Sequence, residues 1–344
     1  MFIKNTYIDY SLLLIVSTGK KSFAALGKII EKSSDTIRRL LNSPTENFDL
    51  MRAIATDIFR NKKMLVLSID DTLLRKIYSN SMEGTCKFFD TKMGRMITAY
   101  KALIAGLTDG KYFVPIHSSF LFSKEVLSNA NELKDELVKS VIEETIKFFP
   151  DKTITIALDG AFAKKKLFLW AVENKVRLET RMHSNRKVIY QGKAEKISEI
   201  KDLQPKGRHM ARTIQVLWND IPLHITAQRR VDKHGEESII YQASTYKAKP
   251  SKHVNNYKHR WPVEKFNRTS KQSFGLQDCF STKLETQMSH LFSVLLAYAI
   301  VQIEMKKQKM LIPEDAIRCL RGKNLNHLKK RFYALYQIFG ATHA

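Results

Sequence analysis

The chain has 344 residues, with 58 lysines and arginines against 34 aspartates and glutamates, and a formal net charge of +24. An excess of this size without an acidic tail favours a polyanionic partner, nucleic acid above all, over an acidic small molecule. The hydrophobic fraction of 44% allows one large domain with an appendage or two. Three cysteines without Cys-x-x-Cys spacing argue against a disulfide framework or a zinc site, and indicate a reducing cytosol.

Residues 1–60 predict a helical region, and they lack the order of basic, apolar and small residues that a signal peptide has. Two short predicted helices, over residues 23–30 and 36–41, outline a helix-turn-helix. Ser34 or Asp35 is the predicted N-cap of the second helix. The alternative interpretation is a small helical bundle that only packs on the rest of the protein.

The second of these predicted helices carries two adjacent arginines, Arg38 and Arg39. Phosphate contacts position a protein on DNA and base contacts specify sequence, so a small basic helical unit suits the recognition of particular DNA ends. Residues 1–60 are therefore a candidate DNA-binding region.

From Met64 onward the pattern changes from helical to extended. Asp109-Gly110 between two β-rich runs is a strong hairpin signal, and Pro115, which cannot donate to a ladder, predicts an edge position for the second run. The predicted elements in chain order are a buried strand over residues 64–69, two hairpin strands over 96–107 and 111–122, a helix over 124–149, a buried strand over 153–158, a helix from about residue 162, and a strand over 176–182.

This order of elements, followed by one more helix, is that of the ribonuclease H-like fold, an α/β fold in which a mixed sheet has helices on both faces. The clearest strands of the following segment are IQVLWNDIPLHITAQRR and SIIYQASTYKA. The apolar run over residues 291–303 is too short to span a bilayer and predicts a buried core helix. The predicted division is a helical region 1–60, a ribonuclease H-like core of 61–182 and 251–310, a β-rich insertion 183–250, and a C-terminal helical tail 311–344.

The most informative segment is YKHRWPVEKFNRTSK, residues 257–271. Its spaced residues are Tyr257, Arg260, Glu264 and Lys271, at offsets of 0, 3, 7 and 14. Pro262 suits the first turn of a helix, on which Glu264 and Lys271 share one face with Arg268 between them. A carboxylate flanked by cations on one face suits a metal-dependent phosphodiesterase. An exposed helix with ordinary i,i+4 ion pairs is the alternative.

Further acids follow the predicted buried strands, Asp70 and Asp71 after the first and Asp159 after the later one. Ligands of open α/β sheets bind beyond the carboxyl ends of parallel strands, so we expect these acids to converge there with Glu264. Carboxylates at a buried edge need a positive partner, which is either a lysine or arginine of this basic chain or a pair of divalent metal ions. Oxygen-only coordination selects Mg²⁺ or Mn²⁺ for the metal.

Taken together, these residues resemble the bacterial insertion-sequence transposases of the DDE type, in the group named for insertion sequence four and within the ribonuclease H-like, retroviral-integrase-like superfamily. The segment 257–271 meets that group's signature of Tyr, two residues, Arg, three residues, Glu, six residues and Lys. The segment DGAF, residues 159–162, is similar to the group's motif around its second acid. The segment RLETRMHSNRKVIY, with Arg181, is similar to a later strand of the group that ends in arginine. For the first acid the group's pattern fits Asp70, with Asp71 as the alternative.

The resemblance, which covers roughly residues 64–307, implies cut-and-paste transposition of DNA. Asp70, Asp159 and Glu264 would hold two Mg²⁺ ions, for which Mn²⁺ can substitute. Water, and later the freed 3′-hydroxyl, would attack phosphodiesters in line. The DNA-binding residues that it implies are Tyr257, Arg260, Lys271, Arg181 and Trp261. Trp218 is the second candidate for base stacking, and core packing is the favoured interpretation for it.

The partners implied are double-stranded DNA, as the terminal inverted repeats of the element and its target, and a second copy of the chain in a homodimer assembled on DNA. No membrane partner is implied, and the expected location is the bacterial cytoplasm, at the nucleoid. Two other functions stay open: a ribonuclease H-like nuclease or resolvase without strand transfer, and an inactive transposase-derived DNA-binding protein. The intact acids and the intact signature argue against decay.

Overall fold

The computed structural model describes residues 5–41, 48–79, 81–124, 126–206, 210–232 and 234–341. The chain divides into two compact units. The first consists of Met1–Lys62, Asp70–Val141 and Pro262–Ala344, and the second of Lys63–Ile69 and Ile142–Trp261. Each unit combines helices with part of a mixed sheet, which confirms the predicted α/β class.

Runs of helices and runs of strands follow one another along the described parts of the chain. The helices are α1 (Asn5–Val16), α2 (Phe23–Ile29), α3 (Ser34–Arg39), α4 (Asp49–Ile58), α5 (Ala130–Phe148), α6 (Lys165–Glu173), α7 (Pro250–Lys258), α8 (Trp261–Ser273), α9 (Leu284–Lys307), α10 (Pro313–Arg321) and α11 (Leu325–Ala341). The strands are β1 (Met64–Arg75), β2 (Cys86–Asp90), β3 (Arg95–Thr108), β4 (Phe113–Leu121), β5 (Thr153–Leu158), β6 (Arg177–Met182), β7 (Lys187–Tyr190), β8 (Lys193–Lys196), β9 (Ala211–Trp218), β10 (Ile221–Val231) and β11 (Glu237–Ser244).

The sheet of the first unit contains a long hairpin, β3–β4. Its hydrogen-bonded strands lie in the order β2, β3, β1, and β4 also pairs with β3. The predicted hairpin turn is confirmed, with Gly110 at φ +92°. The edge position predicted from Pro115 is also confirmed, because within the described ranges β4 pairs with β3 and with no second strand. Pro115 lies opposite Gly106, where the register shifts.

The core of the first unit is built on α9. Its residues 291–301 are each at most 3% exposed, which confirms the predicted core helix. By length and composition α9 is apolar enough to cross a membrane, but nearly nine-tenths of its most apolar stretch is buried inside the protein. Such burial is typical of a core helix.

α1 packs directly on α9. The Tyr10 hydroxyl lies 2.9 Å from His290 Nδ1, and Ser11 Oγ donates a hydrogen bond of 2.9 Å to the Ser293 carbonyl oxygen. Tyr10 and Ser11 are 0% exposed. The N-terminal helix is therefore part of the core of the first unit.

α2 and α3 follow the helix-turn-helix outline, with one correction at the N-cap. Ser33, in extended conformation, caps α3 by accepting a hydrogen bond of 3.2 Å from the Thr36 N–H. The predicted caps Ser34 and Asp35 were wrong by one or two positions, since both lie in the first helical turn. In a run of three capping residues, only the backbone conformation decides which of them caps the helix.

The second unit carries the parallel part of the sheet. β1 pairs in parallel with β5, and β5 pairs in parallel with β6. β11, β10, β9, β7 and β8 then continue the order beyond β6 through antiparallel pairs. β5 has the predicted limits, since its residues 154–158 form a continuous buried apolar run.

The sequence predicted that Asp70 and Asp71 follow the end of the first buried strand, and this prediction was wrong. β1 continues to Arg75, so Asp70 and Asp71 lie within it. Its parallel pairing with β5 does end at Ile69 opposite Leu158. The apolar run marked only the part of the strand that is buried on both faces, and the remainder continues with alternating burial.

Two further predictions of element limits were wrong. The segment IQVLWNDIPLHITAQRR is a hairpin of β9 and β10, turning at Asn219 and Asp220 with φ of +49° and +67°. Both residue types tolerate positive φ, so this pair was a readable turn signal. α5 begins at Ala130, six residues later than predicted.

Candidate active site

The signature residues are carried by two consecutive helices. Tyr257 lies in the last turn of α7, Arg260 in the connection, and Glu264 and Lys271 on α8. α8 begins one residue before Pro262, as predicted. Glu264 and Lys271 therefore share one helix face, two turns apart.

In the second unit, four of the predicted site residues share one electrostatic neighbourhood. Burial raises the pKa of the Tyr257 hydroxyl, the Arg260 guanidinium opposes this rise, and Asp159 adds to it. The charge of Arg181, like that of Arg260, lowers the pKa of this hydroxyl. Asp159 directly follows β5, is half-buried, and makes no capping hydrogen bond to the turn after it.

A glycine allows the close approach of this turn to β6. A Cβ at Gly160 would meet the Arg181 carbonyl oxygen at 3.2 Å, closer than most side chains tolerate. The residue after the second acid is thus constrained by packing. Sequence reasoning gave Gly160 no role, because the neighbouring strand is not adjacent in the chain.

Arg260 is held at its backbone and flanked by aromatic rings. Ser68 Oγ donates a hydrogen bond of 3.0 Å to the Arg260 carbonyl oxygen. The guanidinium carbon lies 5.8 Å from the ring centroid of Tyr257 and 5.7 Å from that of Trp261. Arg260 is 8% exposed and Trp261 46%, so the indole of Trp261 is accessible to a stacking partner. Trp218 is 5% exposed and belongs to the core, as expected.

A buried polar network ties the helix of the signature tyrosine to β6. Glu179 and His253 are each 1% exposed and lie 2.8 Å apart, Oε1 to Nδ1. The Tyr246 hydroxyl donates to the same carboxylate oxygen, and Asn256 Nδ2 donates to that hydroxyl at 2.8 Å. The Arg177 guanidinium lies 4.0 Å above the Tyr246 ring. Buried networks of this kind favour one packing arrangement over others.

In the first unit, β1 directs Asp70 and Asp71 to opposite faces, since side chains alternate along a strand. Asp71 pairs with Lys134 Nζ at 2.6 Å and Lys101 Nζ at 3.2 Å. Burial raises the pKa of Asp71, but the two lysines outweigh burial and hold it below its usual value. Two lysines therefore compensate Asp71, which favours Asp70 as the first acid of a metal site.

Asp70 shares its strand face with Thr72, which contacts α8. Lys271 Nζ donates to Thr72 Oγ1 at 2.8 Å and to the Leu73 carbonyl oxygen at 3.1 Å. The negative charge of Asp70 favours the protonated form of Lys271. The lysine of the signature thus lies against the part of β1 that carries the first acid, and Glu264 lies two turns earlier on the same helix.

The Lys271 ammonium is strongly perturbed. Burial is the main reason that the pKa of Lys271 falls to about 8, and the cations Lys92 and Arg75 add to the fall. The acids Asp90 and Asp70 oppose it. Sequence reasoning missed Arg75, Lys92 and Asp90, because only the packing of the β2–β3 turn brings them near α8.

The three predicted metal ligands are distributed over both units, with Asp70 and Glu264 in the first and Asp159 in the second. Within the six described ranges, no group of three or more His, Cys, Asp or Glu side chains forms a cluster that would hold a metal ion. All three carboxylates are half-buried, and their oxygen donors suit a hard divalent cation. The convergence of the three on shared metal ions stays a prediction.

A comparison with known protein families assigns the class. Residues 99–300, more than half of the chain, match the family described as the transposase DDE domain. The chain belongs to this family. No curated protein matches it. The matched stretch of this DDE transposase contains Asp159 and Glu264, whereas Asp70 precedes it. Membership implies DNA as the partner and a dependence on divalent metal, and agrees with a ribonuclease H-like fold.

Proposed function

We propose that this DDE transposase belongs to the group named for insertion sequence four. It binds the terminal inverted repeats of an insertion sequence as a homodimer assembled on DNA, cleaves there, and joins the freed ends to a target. The observation that carries the proposal is the complete signature from Tyr257 to Lys271. Its support in each unit is local: Lys271 contacts the strand of Asp70, and Tyr257 and Arg260 share a neighbourhood with Asp159.

Asp70, Asp159 and Glu264 would hold two Mg²⁺ ions in this proposal, or Mn²⁺ in their place. When bound, such ions would stabilise the negative charge that develops on the phosphate oxygens and promote ionisation of the attacking water or hydroxyl. The choice of Asp70 is supported by the two lysines that neutralise Asp71.

The other site residues bind and orient DNA. Lys271 and Arg181 bind phosphate oxygens by charge, and Arg260 and Tyr257 donate hydrogen bonds near the cleaved end. The half-exposed indole of Trp261 stacks on an unpaired base at that end. None of these groups forms a covalent bond to DNA.

The test is a reaction of the purified protein with Mg²⁺ and a plasmid that carries the DNA flanking the gene. Transposition predicts cleavage at short inverted repeats and products in which these ends are joined to new DNA. A nuclease or resolvase without strand transfer would give cleavage alone. DNA binding without cleavage, in Mg²⁺ and also in Mn²⁺, would indicate an inactive, transposase-derived DNA-binding protein.

DNA binding should weaken as pH rises through the pKa of Lys271. A phosphate raises the pKa of a lysine that it contacts, so above about pH 8 binding must take up a proton. The affinity should therefore be nearly constant below about pH 7 and fall by about tenfold between pH 7 and pH 9. Fluorescence anisotropy at constant ionic strength measures it. Lys271→Arg, which stays protonated, should remove the dependence, and an unchanged pH profile in that variant would contradict this role.

Arg38 and Arg39 should contribute to the recognition of element ends. Both lie in the last turn of α3, and Arg38 pairs with Asp35 at 3.0 Å on the surface. The double variant Arg38→Ala/Arg39→Ala should reduce the preference for terminal-repeat DNA over scrambled DNA in competition binding, with cleavage chemistry unchanged. Deleting the region is unsuitable, because α1 is part of the core. Full discrimination in the double variant would locate the recognition surface elsewhere.

A further inference from the structure

The β2–β3 hairpin of the first unit has an exposed face that mixes apolar and basic side chains. Phe89 lies opposite Met96, and Lys87 opposite Thr98, in antiparallel register. These four share one face, since side chains alternate along each strand. Phe89 is 58% exposed and Met96 50%, and Lys87 Nζ donates to Thr98 Oγ1 at 2.9 Å.

A buried carboxylate fixes the turn of this hairpin. Asp90 is 4% exposed and accepts a hydrogen bond of 2.6 Å from Arg75 Nε of β1. It also accepts from the backbone N–H groups of Lys92 at 2.9 Å and Met93 at 3.2 Å. Gly94, at φ +63°, closes the turn. The exposed side chain of Lys92 is therefore carried on a turn that is anchored to β1, where Arg75 lies.

Three cations influence one another's surroundings at this anchor: the charges of Arg75 and Lys92 both act on Lys271. Lys271 Nζ is bound to the Leu73 carbonyl oxygen, two residues before Arg75 on β1. The charges of Arg75 and Lys92 repel the Lys271 ammonium and disfavour its protonated form. An anion shared among them relieves this repulsion, and a phosphate does so through several oxygens at once.

We propose that the β2–β3 hairpin is a DNA-binding element: Lys92 and Arg75 extend the phosphate site of Lys271, and the Phe89–Met96 pair packs on the adjoining sugars and bases. This inference rests on the proposed function, since it takes the same DNA as ligand. The inference adds five residues that the signature does not contain: Arg75, Lys87, Phe89, Lys92 and Met96.

Charge complementarity favours DNA over a protein partner on this face. A second copy of a chain with a net charge of +24 would oppose cations with cations. The backbone of DNA, by contrast, presents regularly spaced phosphates next to apolar sugars and base faces. Interleaved basic and apolar side chains match that pattern.

The test separates the two kinds of contact by their salt dependence. Affinity for a short fluorescein-labelled DNA duplex is measured over a series of salt concentrations. Lys92→Ala should reduce the slope of log affinity against log salt by about 0.9, one phosphate contact. Phe89→Ala/Met96→Ala should lower affinity by about tenfold with the slope unchanged, because no charge is removed.

Lys307→Ala and Leu311→Ala are matched controls in the same unit. Lys307 is an exposed cation and Leu311 a 69% exposed apolar residue, both remote in sequence from the hairpin. They should leave affinity and slope at the wild-type values. All variants change exposed positions, and circular dichroism melts verify that they fold.

The outcomes for the hairpin and for the proposed function are distinguishable. Wild-type affinity and slope in the hairpin variants, in a protein that still cleaves DNA, overturn the hairpin inference alone. Loss of a dimer in light scattering for Phe89→Ala/Met96→Ala, with DNA affinity retained, also overturns it and makes the face a contact between copies. The predicted losses in a protein that never cleaves DNA support the hairpin and count against transposition.

Discussion

Glu264→Gln should abolish metal-dependent DNA cleavage, with a rate loss of at least about a thousandfold, or about 4 kcal/mol of transition-state stabilisation. The amide has nearly the shape of the carboxylate but lacks the negative charge that holds a divalent cation. Helix α8 should be unaffected, because Glu264 is only half-buried at its first turn. Cleavage of labelled DNA in Mg²⁺ and in Mn²⁺ measures the loss.

Lys271→Ala is the matched control on the same helix face. It should weaken DNA binding and reduce the salt slope by about one phosphate contact, whereas Glu264→Gln should bind nearly as well as wild type. Chemistry and phosphate binding then depend on different groups two helical turns apart. Equal loss of binding in both variants would show instead that Glu264 has a structural role.

Arg331→Ala should destabilise the first unit by about 3–5 kcal/mol, because it leaves a buried carboxylate short of a partner. Glu304 of α9 is 0% exposed, and its two oxygens lie 2.7 Å from Arg331 Nη1 and 2.8 Å from Lys323 Nζ. Burial raises the pKa of Glu304, but Lys323 and Arg331 outweigh it and lower the value to about 2. Chemical denaturation at neutral pH measures the loss.

The acid dependence of stability gives a second readout for the same pair. Since the pKa of Glu304 is lower in the folded than in the unfolded chain, its contribution is fully present above pH 4.5 and is lost as the pH falls towards 2. Arg331→Ala should reduce this dependence. Arg318→Ala is the control: its ion pair with Asp315 is exposed, and it should cost under about 0.5 kcal/mol. Equal losses in the two variants would contradict the argument.

Local signals in the sequence predicted the elements that depend on neighbours in the chain. The apolar run of β5, the Asp-Gly turn of β3–β4 and the position of Pro262 in α8 were all confirmed. Where the prediction failed, a longer-range partner decided the outcome. β1 continues past its apolar run because its later residues pair with a different strand, and residue spacing carries no record of that change.

The site shows the same division. The sequence by itself determined the class of the protein. It also proposed the signature residues, because their spacing along α7 and α8 is a local property. Only the tertiary structure supplied a reason to prefer Asp70 to Asp71 in the proposed site, since the lysines that neutralise Asp71 come from β3 and α5. Only the structure, likewise, brought Arg75 and Lys92 to Lys271 through the buried carboxylate of Asp90. The physical reason is that charge interactions depend on distance in space, which the chain sets by packing and not by sequence separation.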